Sequence, residues 1–314
     1  MKHKLFTLFI CCTLSLLSQT KMFIQKSTGT DSVWLSDVKS IYFKTISQSG
    51  TPTVSTLLSN LEAPNSIWIT GNLIYLTETA GRNTGSGGKI CLNQYNITTG
   101  QKRLMINNPQ NSDAVVASST GKVYLSSYIG SIPGEKGKVS IVDTSTNLET
   151  PLIDIQIATE DMYIDETNDI TIIGSSDSVT AKSLYLLPAI NYQNPTILKI
   201  GLGRVWCVSK LGKQIYYSSL SKINCIDSNG TVTTFANKSA MSISLSSTYL
   251  YYADYFGGKI GRINLLTKVD EVILTNLISP KCLRYDVQSN KLYFIEFGSN
   301  ASQYKNGTLK VISW

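Results

Sequence analysis

The chain of 314 residues carries 42% hydrophobic and 16% charged residues, with 17 tyrosines and only 8 prolines, the composition of a globular protein and not of a disordered or fibrous one. Its formal charge of +7 comes from scattered lysines, which favours solubility and argues against nucleic-acid binding. No apolar run long enough to span a membrane occurs after the first twenty residues.

The first predicted element, MKHKLFTLFICCTLSLLS, has a basic start, an apolar middle and small residues near Ser18, the layout of an export signal over residues 1–18. Cys11 and Cys12 raise the alternative of a lipoprotein anchor, but Ile10 stands where such a signal wants a small residue. The expected location is secreted, periplasmic or at the cell surface. Cleavage after Ser18 removes Lys2 and Lys4, taking the charge from +7 to +5, and removes His3, the only histidine. Triad hydrolases, histidine acid–base catalysts and imidazole zinc sites thereby lose their usual residue.

Residues 19–50 read as a short β module and linker. KMFIQKSTGTDSVWLSDVKSIYFKT, from Lys21, predicts two strands around a Thr-Gly turn and a third apolar run, with SQSGTPT after it as linker. This stretch resembles an N-terminal segment carried by many exported proteins of Bacteroidetes bacteria, which implies export and says nothing of chemistry.

From residue 51 one phrase recurs: KICLNQY from Lys89, KVSIVDT from Lys138, SLYLLPA from Ser183, KINCIDS from Lys222, KIGRINL from Lys259 and TLKVISW from Thr308. Each follows an aromatic-centred strand (NLIYLTE, KVYLSS, DITIIGS, QIYYSS, YLYYAD, KLYFIE) and, before that, a further run (NSIWIT, DAVVAS, DMYID, RVWCVS, SISLS, CLRYD). Turns rich in Asn, Gly, Thr or Ser then lead to a fourth strand, as in QKRLMIN or DEVILTN. A four-strand unit repeating every roughly 35 to 50 residues predicts an all-β fold, a β-propeller of four-stranded antiparallel blades.

The sixth unit ends at Trp314 on its third strand, and VSTLLSNLEAP (54–64) parallels DEVILTNLISP (270–280) through a shared Asn-Leu-x-x-Pro turn. The N-terminal strand is therefore expected to complete the last blade and close a six-bladed ring over residues 51–314, leaving no free edge within it.

Four cysteines remain after processing, Cys91, Cys207, Cys225 and Cys282, all in apolar strand phrases without a Cys-x-x-Cys pair. They read as small buried hydrophobes, and the second strand between Cys207 and Cys225 keeps that pair about 10 Å apart, beyond disulfide reach.

Candidate chemistry gathers where the second strands end, at Glu78, Ser127, Ser175 (or Gly174), Ser219, Asp254 and Glu296. The three acids belong to neighbouring blades and point to one face, an oxygen-only set of the kind calcium accepts. The structural alternative is that each buried acid fastens one blade to the next. YYAD (251–254), with YLTE (75–78) and YFIE (293–296), resembles the YWTD repeat of six-bladed propellers, and that resemblance implies the fastening role. NKLYFIEFGS and NLIYLTETAG are similar to blades of NHL-repeat proteins, streptogramin lyases and the gluconolactonase group. The lyase resemblance implies a catalytic histidine that the processed chain lacks. The gluconolactonase resemblance implies a channel metal to which Glu78 and Glu296 alone correspond.

Loops 81–88, 130–137 and 298–307 all join second to third strands and are expected on one rim, where partners dock. GSGG lacks the strand-to-helix setting of a phosphate loop. The expected function is an exported, noncatalytic recognition or scaffold propeller, monomeric, binding a protein or glycan. The alternative is a metal-dependent hydrolase or lyase with carboxylates at the channel mouth, calcium being the metal and Glu78, Asp254 and Glu296 its ligands.

Overall fold

A computed structural model describes residues 21–26, 29–34, 51–79, 90–107, 112–129, 136–155, 158–175, 182–219 and 221–314. The expected signal, the third apolar run of the N-terminal module, the 81–88 loop and most of the 130–137 loop lie outside the described residues. The chain divides into units 1–48 and 49–314. In the first, β1 (Lys21–Lys26) and β2 (Gly29–Trp34) form an antiparallel hairpin with Lys21 opposite Trp34.

The second unit is all-β, six four-stranded antiparallel sheets arranged as the blades of a propeller. It begins with β3 (Thr53–Leu61). Blade 1 holds β4 (Pro64–Thr70), β5 (Leu73–Thr79), β6 (Ile90–Asn96) and β7 (Lys102–Asn107); blade 2 holds β8 (Ser112–Ala117), β9 (Val123–Ile129), β10 (Lys136–Asp143) and β11 (Leu148–Ile155). Blade 3 is β12 (Ala158–Ile164), β13 (Ile170–Ser175), β14 (Lys182–Leu187) and β15 (Thr196–Ile200), and blade 4 is β16 (Val205–Leu211), β17 (Gln214–Ser219), β18 (Ile223–Ile226) and β19 (Val232–Ala236). Blade 5 is β20 (Ser242–Leu245), β21 (Tyr249–Asp254), β22 (Lys259–Asn264) and β23 (Asp270–Leu274). Blade 6 is β24 (Pro280–Asp286), β25 (Lys291–Glu296) and β26 (Gly307–Ser313), and its fourth strand is β3, paired antiparallel to β26 with Ser313 opposite Thr53. The ring is closed by its N-terminal strand, as the paired Asn-Leu-x-x-Pro turns predict.

Burial follows strand position. The second strand of blade 1, LIYLTET, is buried along almost its whole length, whereas β3 is exposed over most of its residues. An inner strand lies between two neighbouring blades and needs apolar side chains on both faces; an outer strand meets water. The core is accordingly interblade. One apolar cluster joins blades 1 and 2 through Tyr75, Leu92, Val115 and Leu125, and another joins blades 5 and 6 through Tyr251, Ile260, Leu283 and Phe294. Blade 6 meets blade 1 through Tyr293, Ile295, Ile67 and Leu76, so the last contact uses the same chemistry as the others.

First strands line the ring's axis, and their inner edges carry N–H groups without a sheet partner. Side chains of the preceding blade accept from them. Val115 N–H donates to Ser66 Oγ (3.2 Å), Val208 N–H to Asp161 Oδ2 (3.2 Å), Leu283 N–H to Ser242 Oγ (3.1 Å) and Tyr285 N–H to Ser244 Oγ (2.9 Å). Unmade, each of the first three, which are buried, would leave a donor costing about 1–3 kcal/mol.

Candidate functional site

The second strands end on the face that also carries the connectors between blades, because antiparallel pairing sets the end of one beside the start of the other. Glu78 lies at that end of β5, where its carboxylate accepts from the backbone N–H of Glu62 (2.6 Å), Asn93 Nδ2 (2.8 Å) and Lys102 Nζ (2.5 Å). Glu296 is its counterpart on β25, accepting from Ile278 N–H (2.8 Å), Thr308 Oγ1 (2.8 Å) and Lys310 Nζ (2.5 Å). Glu62 and Ile278 occupy the same position of the two Asn-Leu-x-x-Pro turns, so each glutamate ties the connector entering its own blade. Burial opposes the Glu296 charge, but Lys310, Ile278 N–H and Thr308 outweigh it and hold the carboxyl below the usual glutamate value.

Asp254 does something else. A shorter side chain at the end of β21, it accepts from Gly257 N–H (2.9 Å) and shapes the turn to β22. A Cβ on Gly257 would collide with that carboxylate. The position equivalent to Glu78 in blade 3 is Gly174, which stands opposite Thr159 as Glu78 stands opposite Pro64. Ser127 and Ser219 occupy it in blades 2 and 4, opposite Ser112 and Val205. Among the described residues, no three histidine, cysteine, aspartate or glutamate side chains come together as a metal-binding group. Lys102 pairs with Glu78 and Lys310 with Glu296, while Asp254 bonds its own turn.

The first strands hold a feature that the repeats did not reveal. Arg284 of blade 6 donates from Nη2 to Asp161 Oδ1 of blade 3 at 2.9 Å, and both residues are buried, at 5% and 6% exposure. Blades 3 and 6 are opposite in a ring of six, so the pair crosses the axis. Trp68 of blade 1 lies under the guanidinium (5.3 Å to the ring centroid) and meets Tyr163 of blade 3 edge-on at 5.6 Å. These four side chains meet on the axis. Burial works against the Arg284 charge, and the Asp161 carboxylate outweighs it, holding the guanidinium protonated above its ordinary range. Burial pushes the Asp161 carboxyl upward, while Arg284 and Val208 N–H pull it back.

Among the described residues, Cys91, Cys207, Cys225 and Cys282 are all buried. Burial, with the nearby Asp161 charge, pushes the Cys207 thiol up to about 12 against the pull of Ser218 and Arg284, and such a thiol is a poor nucleophile at neutral pH.

On the rim, the β21–β22 turn projects Phe256, which is 80% exposed. Behind it an aromatic chain runs from blade 5 into blade 6: Phe256 to Tyr255 (5.1 Å), Tyr255 to Phe297 (6.2 Å) and Phe297 to Tyr304 (5.0 Å). Lys281 Nζ stands 4.4 Å from the centre of the Phe297 ring. Beside Phe256 a cleft of about 450 Å³ opens between the turn and the blade 5–6 connector, with Leu277 and Ile278 in its wall. The connector is held by Leu277 N–H donating to Gly258 O (3.0 Å) and Phe297 N–H donating to Ser279 O (3.0 Å). The 298–307 loop, expected on this rim, forms a 3-10 turn at Asn300–Ser302 and places Tyr304 on the aromatic chain.

No protein-family model matches the chain. No curated protein matches it either. Solved structures do, at the level of fold. The chain is similar to the calcium-binding protein regucalcin from Agrobacterium tumefaciens strain C58, at TM-score 0.62 and 12% identity over 82% of this chain and 92% of that one. It is similar to the PQQ-bound aldose sugar dehydrogenase from Streptomyces coelicolor, at 0.61 and 11% over 83% and 98%. A chain of the nidogen/laminin complex matches at 0.55 and 10% over 67% and 78%. The protein is a six-bladed β-propeller.

Proposed function

We propose that this chain is an exported, noncatalytic recognition or scaffold propeller that binds a protein or a glycan at its loop rim. The observation that carries this reading is the Arg284–Asp161 pair with Trp68 and Tyr163, which occupies the axis where a propeller would house substrate. Phe256, exposed on the rim of blade 5, supports it, as does the likeness to a chain solved in the nidogen/laminin complex. Export rests on the signal-like residues 1–18, and a monomer is the expected state.

Immobilised protein is to be incubated with the envelope fraction of its native cell and with a glycan array. Saturable capture of one component supports recognition. The alternative, a metal-dependent hydrolase or lyase using Glu78, Asp254 and Glu296, predicts a calcium- or magnesium-dependent rise in melting temperature together with turnover of lactone or polysaccharide substrates. That pair of results would replace the recognition reading.

A further inference from the structure

We propose that the cleft between the β21–β22 turn and the blade 5–6 connector is the docking site for a protein segment that presents an apolar side chain flanked by acidic residues. This rests on the reading of the protein as a recognition propeller and assigns its site and the partner's chemistry.

Three observations converge there. Phe256 is an aromatic side chain that folding leaves 80% exposed, beside Ile278 at 45%. Such a residue does not serve the core, and aromatic anchors beside a pocket are what protein interfaces use. The cleft is lined by apolar Phe256, Leu277 and Ile278 together with polar Thr275, Asn276 and Ser279, the mixture of apolar anchors and hydrogen-bonding groups that protein interfaces carry.

The walls are also preorganised. Asn276 and Ser279 sit at φ 60° and 52°, a region that non-glycine residues enter only when surrounding bonds hold them. Here the holding bonds are those of Leu277 N–H to Gly258 O, Ile278 N–H to Glu296 Oε1 and Phe297 N–H to Ser279 O. A rigid cleft loses little entropy on binding.

Charge selects the partner. The residues lining the cleft include Lys259 and no acid, and Lys281 lies nearby on the Phe297 ring. Asp254, the adjacent carboxylate, is directed onto Gly257 N–H. A segment with aspartate or glutamate beside its apolar residue complements this field, and a basic segment is repelled. A sugar fits less well, because its ring of hydroxyls calls for carboxylate acceptors and none lines the cleft.

The test is selection of short random peptides from a phage-displayed library on the full chain, followed by fluorescence titration of the enriched peptides. Enriched sequences are expected to combine an aromatic or aliphatic residue with neighbouring acids. Phe256→Ser is expected to weaken them about tenfold or more, the loss of an interface anchor. Lys259→Glu should weaken them too and flatten their salt dependence. Both substitutions are at exposed positions, and unchanged melting curves confirm that the fold persists. Selection that enriches nothing, enriches basic peptides, or enriches peptides that bind Phe256→Ser as well as wild type overturns the proposal. So does glycan binding that Phe256→Ser abolishes. If an envelope component is captured equally by wild type and Phe256→Ser, recognition stands and this site for it falls.

Discussion

Arg284 and Asp161 stabilise the ring only as a pair. Either charge alone on the axis would be buried without its counterion, and breaking a buried pair costs about 3–5 kcal/mol, whereas replacing both partners costs far less. Arg284→Met is therefore expected to lower unfolding free energy in urea by that amount, and Asp161→Asn combined with Arg284→Met to recover most of it. Equal losses in single and double variants would mean that the pair is not coupled. Glu296 makes a separate contribution that depends on pH. Its folded value is depressed by Lys310, Ile278 N–H and Thr308 against the effect of burial. Stability from it is present above the unfolded value of about 4.3 and is lost as pH falls through the folded value. Glu296→Gln should reduce stability at pH 7 by about 1.5–3 kcal/mol, the range for hydrogen bonds to a charged group, and flatten the acid limb of stability against pH.

At the scale of elements, the two Asn-Leu-x-x-Pro connectors repeat in conformation as well as in sequence. Asn60 and Ala63 have φ of 57° and 47°, and Asn276 and Ser279 have 60° and 52°. Thr79 N–H donates to Ala63 O (3.1 Å) just as Phe297 N–H donates to Ser279 O. The repeated turn was legible, because proline and asparagine constrain the backbone locally. The bond from its third residue to a glutamate of the next blade was not, since that contact forms only once the blades pack. Gly307 shows how tightly the ring-closing connector fits: a Cβ there would meet the Pro64 ring and Leu61 O. Gly307→Ala is expected to cost about 1–3 kcal/mol, as overpacking does, measured by chemical denaturation.

For the whole molecule, closure depends on β3, which forms the fourth strand of blade 6. Deleting residues 51–60 should expose the edge of β26 and uncover the apolar seam to blade 1. The expected outcome is loss of cooperative unfolding and aggregation in size-exclusion chromatography, with a synthetic peptide of residues 51–64 restoring folding in trans. A cooperative, monodisperse deletion variant would contradict closure by this strand. The sequence by itself determined the blades, their number and the closing strand, because alternating apolar residues, turn residues and repeat spacing act locally and recur. It also contained the axial pair without disclosing it: Asp161 in DMYID and Arg284 in CLRYD stand among the charges of their first strands with nothing local to single them out. Only the tertiary structure decided that these residues, 123 positions apart in the chain, meet across the ring. Only it gave Glu78 and Glu296 a connector and a lysine each while Asp254 took its own turn, and left Phe256 exposed beside a cleft. Such outcomes depend on which blades face one another and how long each side chain is, and no local pattern encodes either.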